Sequence, residues 1–313
     1  MKKTIVLIAT YNGQKYLTNQ LDSIRQQEIQ PDYVLLRDDG STDLTVELIK
    51  NYIEKYQLLN WTIAQNEANI GWQKNFRQLL IDALSLEADY IFFSDQDDEW
   101  ALDKIKNQLD FMENHSKCQL LSGDIEIKNI GEGDYHKLPF QFVDGNKIAS
   151  KFPASIEYFT YRLGWTFAIK RQLAEKTIEF WKADYFIAHD VIFSCLSSLL
   201  GVGYNLNRSV GYHVVHGENA SVKPSITISS NKAQHVRHLL KEVQFYELLN
   251  QILSKDENRY SVEVQKKLKF CKKRYELARE NKVFPVFLQI LQEGRMYSGI
   301  KSKLRDVIFA FKK

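Results

Sequence analysis

The first half of the chain alternates between two patterns of apolar and polar residues. Runs of consecutive apolar residues, such as Thr4–Ala9 and Tyr90–Ser94, are typical of strands that are buried on both faces. Between these runs, apolar residues recur at the spacing of one helical face, as Leu17, Leu21 and Ile24 do. Strands and helices that alternate in this way predict an α/β fold, in which a mostly parallel central sheet is flanked by helices.

Weaker signals extend the pattern along the chain. Further strands are predicted at residues 33–36, 61–64, 120–123, 165–169 and 202–212, and further helices at 171–181 and 191–200. From about residue 231 nearly every segment has helical spacing, with a break near 257–259. We therefore expect an α/β domain over residues 1–220, followed by a helical C-terminal extension over residues 221–313.

The formal net charge of +3 conceals an uneven distribution. Residues 266–313 contain 14 Lys and Arg against 4 Asp and Glu, a net charge of +10. The rest of the chain contains 28 Lys and Arg against 35 Asp and Glu, a net charge of −7. A basic segment on an acidic body predicts an anionic partner, either a phospholipid surface or nucleic acid. A solvated basic helical face is the alternative interpretation.

Several features bear on location. The sequence has no run of eighteen apolar residues, so no membrane-spanning helix is predicted. The apolar stretch after Met1 leads straight into Tyr11-Asn12-Gly13 and is too short for a signal peptide. The three cysteines, Cys118, Cys195 and Cys271, are far apart and lack metal-ligand spacing, which is typical of reduced thiols. We expect a cytoplasmic protein.

Polar clusters follow three of the predicted strands. They are Thr10-Tyr11-Asn12, Asp38-Asp39-Gly40-Ser41 and Asp95-Gln96-Asp97-Asp98. The carboxyl ends of parallel strands meet at one edge of a sheet, which is where open α/β folds bind ligands. A carboxylate there can accept a hydrogen bond from the imide N–H of a pyrimidine, and paired carboxylates can hold a divalent cation on a diphosphate. The alternative is that the acidic residues only favour the first turns of helices.

Two other nucleotide-binding classes lack support. A nicotinamide dehydrogenase would need Gly-x-Gly-x-x-Gly after the first strand, and this motif is absent. A sugar-nucleotide pyrophosphorylase would carry a glycine-rich, basic loop at the same place. The loop Thr10–Gln14 has one glycine and no arginine.

Six segments in this order and at these distances resemble the inverting, family-2-type glycosyltransferases with the nucleotide-sugar-binding GT-A fold. They are Ala9-Thr10-Tyr11-Asn12-Gly13, Asp38-Asp39-Gly40-Ser41-Thr42-Asp43, Asn69-Ile70-Gly71 with Asn75-Phe76, Ser94-Asp95-Gln96-Asp97-Asp98-Glu99-Trp100, His189-Asp190 and His216-Gly217-Glu218-Asn219. The resemblance covers roughly residues 4–220 and is strongest to bacterial rhamnosyltransferases of cell-surface polysaccharide synthesis.

The resemblance implies a set of donor-side residues. The nucleotide would be bound by Thr10, Tyr11, Asn12, Asp38, Asp39, Asn69, Asp95 and Gln96. Within this set Asp39, together with Asp38, would read the pyrimidine base, and Asp95 would contact the ribose. The metal, Mg²⁺ or Mn²⁺, would be held by Asp95, Asp97, Asp98 and His216.

The resemblance also implies a catalytic base. Asp190 corresponds to the acidic residue that deprotonates the acceptor hydroxyl, and a positioned base of this kind contributes about 10²–10⁴ in rate. Its alternative role is that of a helix cap. Trp165 and His189 are candidates for the acceptor side, although Trp165 could instead pack in the core and His189 could be structural.

We therefore expect an enzyme that transfers L-rhamnose from dTDP-L-rhamnose to a hydroxyl of a lipid-linked cell-wall, capsular or O-antigen-type polysaccharide. A UDP-hexose donor is the alternative, and a nucleotide-binding scaffold protein is the non-enzyme alternative. The basic C-terminal helices would contact the inner face of the plasma membrane rather than nucleic acid. A homodimer or another partner subunit that covers these helices is a further alternative.

Overall fold

The computed structural model describes residues 2–131, 140–142, 147–217, 219, 230–280 and 282–312. The chain divides into two compact units. The first comprises Met1–Ser155, Phe159–Asp184 and Ala188–Val222, and the second comprises Ile156–Tyr158, Tyr185–Ile187 and Lys223–Lys313.

The first unit contains the strands and six of the described helices. The strands are β1 (Thr4–Thr10), β2 (Tyr33–Asp38), β3 (Trp61–Gln65), β4 (Tyr90–Ser94), β5 (Glu99–Trp100), β6 (Leu120–Asn129), β7 (Ala149–Lys151), β8 (Ala168–Lys170) and β9 (Gly203–Val215). The helices are α1 (Leu17–Arg25), α2 (Thr45–Lys55), α3 (Trp72–Leu84), α4 (Lys104–Asn114), α5 (Arg171–Ile178) and α6 (His189–Leu200).

All of these strands join one sheet in the order β3-β2-β1-β4-β8-β6-β9-β5, and β7 pairs with β9. The pairings β3·β2, β2·β1 and β1·β4 are parallel, as the alternation of strands and helices predicts. Beyond β4 the sheet is mixed, because β8 runs antiparallel to both β4 and β6 while β6 and β9 are parallel. The predicted fold class is confirmed, but the parallel arrangement is concentrated in the first half of the domain.

The core lies where the apolar runs predict it. β4 is buried at every position, and β1 is buried at all but one, because helices cover both faces of the middle of the sheet. The helices α1 and α2 bury Leu17, Leu21, Ile24 and Ile49 against this sheet.

The structure differs from the sequence prediction around Trp165. The predicted strand 165–169 is instead a 3₁₀ turn at Gly164–Thr166, and only Ala168–Lys170 forms a strand. Trp165 is fully buried in the hydrophobic core of the unit. This burial favours the alternative that Trp165 packs in the core, and its assignment to the acceptor side stays a prediction.

The second unit contains four described helices: α7 (Lys232–Lys255), α8 (Ser261–Arg279), α9 (Val283–Glu293) and α10 (Ile300–Phe311). α7 begins with a capping box, in which Asn231 and Gln234 exchange side-chain-to-backbone hydrogen bonds. Buried Arg274 of α8 donates to Asp306 of α10 at 2.8 and 3.0 Å and to Glu242 of α7 at 2.7 Å. This network joins three helices. Within the described residues, no helix is both long and apolar enough to cross a membrane.

Candidate active site

The ends of three neighbouring strands form the floor of the site. β1 lies between β2 and β4, with Thr10 in register with Asp38, and Ile8 with Ser94. Thr10 Oγ1 donates to Asp38 Oδ2 at 3.0 Å. The three polar clusters that follow these strands therefore lie at one edge of the sheet, as the sequence predicts.

Hydrogen bonds fasten the loop after β1 to the loop after β2. The backbone N–H of Asn12 donates to Ser41 Oγ at 2.8 Å, and Asn12 Oδ1 accepts from the N–H of Thr42 at 2.9 Å. The N–H of Gly13 donates to Thr45 Oγ1 at 2.7 Å. Asn12 has a φ of 47°, a left-handed conformation that asparagine tolerates better than most residues. The side chain of Asn12 is thus part of the scaffold of this edge.

Gln96 fastens the acidic segment to the same loop. Its side-chain oxygen accepts from the N–H of Tyr11 at 2.9 Å, and its side-chain nitrogen donates to the carbonyl of Tyr11 at 3.1 Å. A Cβ atom on Gly13 would lie 2.3 Å from Gln96 Oε1, so a larger residue at position 13 would displace the Gln96 side chain. Tyr11 itself keeps an exposed ring at the edge of the site.

The adjacent carboxylates Asp38 and Asp39 are both buried, but they hold different parts of the site. Asp38 is fully buried and accepts from Thr10 and from the backbone N–H of Ser41, so it holds the loop after β2. Asp39 holds the turn before α3: Oδ1 accepts from the N–H of Ile70 and Oδ2 from the N–H of Gly71, both at 2.9 Å.

The turn before α3 contains the predicted nucleotide residue Asn69. Asn66 Nδ2 donates to Asp39 Oδ1 at 2.9 Å, and Asn69 Oδ1 accepts from the N–H of Gly71 at 3.1 Å. Gly71 has a φ of 89°, in the region that favours glycine. Asp39 thereby places Asn69 beside the edge of the sheet.

Asp97 contacts the segment that follows β9. His216 Nε2 lies 3.0 Å from Asp97 Oδ2, and Asn219 Nδ2 donates to the same oxygen at 3.2 Å. Asn219 Oδ1 also accepts from the backbone N–H of His216 at 2.6 Å, and the His216 ring stacks on Tyr16 with centroids 3.9 Å apart. The structure therefore brings together Asp97 and His216, which are 119 positions apart in sequence.

Asp98 points toward a different histidine. Its Oδ1 lies 2.7 Å from His213 Nδ1 and accepts from the N–H of Val214 at 3.1 Å. Burial raises the pKa of Asp98 to about 6 despite the hydrogen bond from His213. Burial alone would lower the pKa of His213, but the interaction with Asp98 outweighs it and the pKa is raised. The pair ties the acidic segment to β9.

Asp95 and Asp190 share one electrostatic environment. Burial, followed by the charges of Asp98, Asp97 and Asp190, raises the pKa of Asp95 well above its usual value. Burial raises the pKa of Asp190 to about 6, although its Oδ1 accepts from the N–H of Val191 at 2.7 Å. Like charges that interact in this way disfavour one another's ionisation unless a cation compensates.

The residues present fit a divalent cation that arrives with a substrate. Within the described part of the chain, no three His, Cys, Asp or Glu side chains form a preformed metal-binding group. Mg²⁺ is usually held by only one or two carboxylates, because substrate phosphates and water supply the other oxygens. Asp95 and Asp97 provide such carboxylates, and the buried Oδ2 of Asp98 has no hydrogen-bond partner among the described residues.

His189 is buried beside the acidic cluster in an aromatic cage. Its ring stacks on Phe93 with centroids 4.7 Å apart and lies 4.2 Å from the ring of Phe76. Burial lowers its pKa to about 3, so the imidazole is neutral. A Cβ atom on Gly164 would lie 2.1 Å from His189 Nε2, which shows how closely the backbone covers the ring. This burial favours a structural role for His189 over contact with an acceptor.

Sequence reasoning did not assign several residues that shape the site. They are Tyr16, Ser41, Asn66, His213 and Asn219. Each of them makes a hydrogen bond or ring contact with a residue that is 27 or more positions away in sequence. Asn219 also makes a local contact with His216. The His216-Gly217-Glu218-Asn219 segment was the one available signal for Asn219.

Comparison with known proteins adds independent information. Residues 5–177 match the family model for glycosyl transferase family 2. The chain is 38% identical over 113 residues to the dTDP-rhamnosyl transferase RfbG of Shigella flexneri, a match that covers 36% of this chain and 39% of that protein. It is 27% identical over 221 residues to the O-antigen chain rhamnosyltransferase RfbN of Salmonella typhimurium, covering 69% and 67% of the two chains.

The Staphylococcus aureus protein TarS, a poly(ribitol-phosphate) beta-N-acetylglucosaminyltransferase, is 31% identical over 132 residues, which are 42% of this chain and 22% of TarS. The matches to RfbG and TarS thus span well under half of those proteins. The structure of TarS 1-349 in complex with UDP-GlcNAc superposes with a TM-score of 0.58 at 18% identity and covers 98% of this chain and 90% of that one. This likeness shows the fold, which is GT-A. Because the family model spans more than half of its length, the chain belongs to glycosyltransferase family 2.

Proposed function

We propose that this protein is an inverting glycosyltransferase that moves a sugar from a nucleoside diphosphate donor to a hydroxyl group of an acceptor. The observation that supports the proposal is the meeting of the polar strand ends at one edge of the sheet, where the charge of Asp190 is among the influences that raise the pKa of Asp95. The proposal takes Asp190 of α6 as the base and the acidic segment after β4 as the diphosphate site. Direct displacement at the anomeric carbon needs these two functions side by side.

Asp39 would recognise the pyrimidine ring of the donor nucleotide. A carboxylate has about four acceptor positions, and three of these accept from Asn66, Ile70 and Gly71. The remaining position would accept the imide N–H of uracil or thymine. Methylation of N3 removes this proton, so N3-methyl-UDP should bind about tenfold more weakly than UDP. Equal affinities would refute this role of Asp39.

The donor sugar is proposed to be L-rhamnose, carried by dTDP. RfbG and RfbN, both named as rhamnosyltransferases, support this choice. A UDP-hexose donor is the second candidate, because TarS structures contain UDP and UDP-GlcNAc. Uracil and thymine present the same imide group, so the residues at Asp39 accept either nucleotide.

Asp190 would act as the general base. Its pKa of about 6 leaves it ionised at neutral pH and still basic enough to accept a proton from the attacking hydroxyl. Asp95 and Asp97 would hold Mg²⁺ or Mn²⁺, and His216 would lie beside Asp97. Asp98 would mainly hold His213 in place. When bound, the cation would neutralise the charge that develops on the leaving diphosphate.

The acceptor is proposed to be a lipid-linked polysaccharide at the inner face of the plasma membrane. RfbN is named as an O-antigen chain enzyme and TarS as one that acts on poly(ribitol phosphate), which supports a cell-surface glycan as the acceptor class. A homodimer is the second candidate for what covers the C-terminal helices. No role in nucleic-acid binding is proposed.

A donor panel tests this function. The full chain would be heated with dTDP-L-rhamnose, UDP-GlcNAc or GDP-mannose in the presence of Mn²⁺, and the unfolding midpoint recorded. We expect the two pyrimidine donors to raise the midpoint and GDP-mannose to leave it unchanged. With an acceptor, product NMR should show that the anomeric configuration is inverted. Preference for GDP-mannose, or retention of configuration, would contradict the proposal.

A further inference from the structure

The outer face of α9 is apolar and exposed. Phe284, Phe287, Leu288 and Leu291 follow the spacing i, i+3, i+4, i+7, which places them on one side of the helix. Phe284 is 71% exposed and Leu291 is 81% exposed. The opposite side is buried through Val286 and Gln289. This helix therefore directs its larger apolar side chains away from its own unit, the reverse of the arrangement expected for a helix in contact only with water.

The outer face of α10 continues the same surface. Ile300, Leu304 and Phe311 are exposed at the spacing i, i+4, i+11, while Ser302, Asp306 and Phe309 on the other side are buried. The rings of Phe287 and Phe311 lie with centroids 6.5 Å apart, so the two helices present one continuous patch. We call these seven exposed residues of α9 and α10 the C-terminal apolar face.

The inner side of the two helices fixes this orientation. Gln289 Nε2 donates to the carbonyl of Phe270 on α8, and Arg274 on α8 holds Asp306 with two hydrogen bonds. Turning α10 to bury its apolar face would break this buried ion pair, at a substantial cost. The exposure of the C-terminal apolar face is thus built into the packing of the unit.

Basic residues lie beyond the two ends of α9 and along α10. Residues 282–312 contain six Lys and Arg and two Asp and Glu. Both acidic residues are already paired, Glu293 with Lys273 and Asp306 with Arg274. Lys301 lies next to Ile300, and Lys303 and Arg305 flank Leu304 in sequence. Apolar side chains at helical spacing between basic residues are typical of helices that lie in the interface of an anionic bilayer.

We infer that the C-terminal apolar face is a docking surface for the headgroup region of a membrane that contains anionic phospholipid. Leu and Phe side chains would enter the boundary between headgroups and acyl chains, and the neighbouring Lys and Arg would neutralise phosphates. The choice of a bilayer over a protein partner rests on this charge pattern and on the proposed function, in which the acceptor is lipid-linked.

The test compares the full chain with a Phe284→Ser, Leu291→Ser double variant in vesicle sedimentation. Vesicles of phosphatidylglycerol and phosphatidylethanolamine are compared with vesicles of phosphatidylcholine alone. We expect the native chain to prefer the anionic vesicles and to lose much of this binding at high salt. Each lost side chain should lower the partition coefficient about tenfold. Leu59→Ser is the matched control, because Leu59 is 97% exposed but lies in the first unit.

The outcomes separate this inference from the proposed function. Loss of vesicle binding in the double variant, with unchanged transfer to a soluble acceptor, supports the docking surface. Equal partition of the native chain and the double variant overturns it, as does a native chain that binds no anionic vesicles. A native dimer that the double variant converts to monomers also overturns it, because a second copy would then cover the face. Failure of transfer with vesicle binding intact would count against the proposed function alone.

Discussion

Asp39→Asn is a sensitive test of how the donor edge is organised. In the native chain the Asp39 carboxylate accepts from Asn66 Nδ2 and from the N–H groups of Ile70 and Gly71. Asparagine has nearly the same shape, but one of its two polar atoms is a donor. Its oxygen would be retained toward Asn66 and Ile70, because two donors lie on that side. The NH₂ group would then face the N–H of Gly71.

The expected cost follows from these contacts. The hydrogen bonds from Asn66 and Ile70 would then have a neutral acceptor in place of a charged one, which lowers the stability by about 1 kcal/mol for each bond. The N–H of Gly71 loses its carboxylate partner, which costs about 1 kcal/mol or more. Asn69 Oδ1 lies 3.1 Å from the N–H of Gly71 and recovers part of this loss. We expect the free energy of unfolding of the first unit to fall by about 2–3 kcal/mol.

Urea unfolding followed by tryptophan fluorescence measures this change. All five tryptophans lie within the first unit, so the signal reports on that unit alone. Asp110→Asn is the matched control, because Asp110 is an exposed carboxylate on α4. If the free energy of unfolding of Asp39→Asn stays within about 0.5 kcal/mol of that of the control, Asp39 does not hold the turn.

Three further predictions concern the two units. Arg274→Met should destabilise the second unit by about 3–5 kcal/mol, because Asp306 and Glu242 lose their guanidinium partner and are left with histidine contacts. Circular dichroism during urea unfolding would show this, with Lys269→Met as the exposed control. Gly13→Ala should displace Gln96 and weaken donor binding about tenfold or more, measured by calorimetry, and unchanged affinity would count against the Gln96 contact. Since the base must be ionised, kcat/KM should fall about tenfold per pH unit below the Asp190 pKa of about 6, and a flat profile down to pH 5 would contradict this assignment.

Much of the first half of the fold is predictable from local patterns. β4 occupies Tyr90–Ser94, as its apolar run predicts, because a strand buried on both faces needs no partner-specific information to be recognised. The same holds for the position of the polar clusters, since parallel order alone places the ends of β1, β2 and β4 at one edge. The family resemblance names the candidate donor residues, and this placement accounts for why most of them lie at one edge.

The second half of the site depends on contacts between distant residues. Asp98 and His213 are 115 positions apart, and no local pattern distinguishes this carboxylate from Asp97, which contacts His216. The segment around Trp165 is short and apolar, a pattern that fits both a strand and a buried turn. β8 lies between β4 and β6 and is antiparallel to both, which the spacing of hydrophobic residues likewise does not predict.

Replacement of Asp190 by asparagine tests the central claim most directly. Asparagine keeps the size of the side chain and can still accept from the N–H of Val191, but it cannot take a proton from the acceptor. Donor affinity by calorimetry with Mn²⁺ and transfer rate on the same preparation should be measured together. We expect donor affinity within about threefold of the native value and a transfer rate reduced by about 10²-fold or more. Transfer at a near-native rate would contradict the assignment of Asp190 as the base.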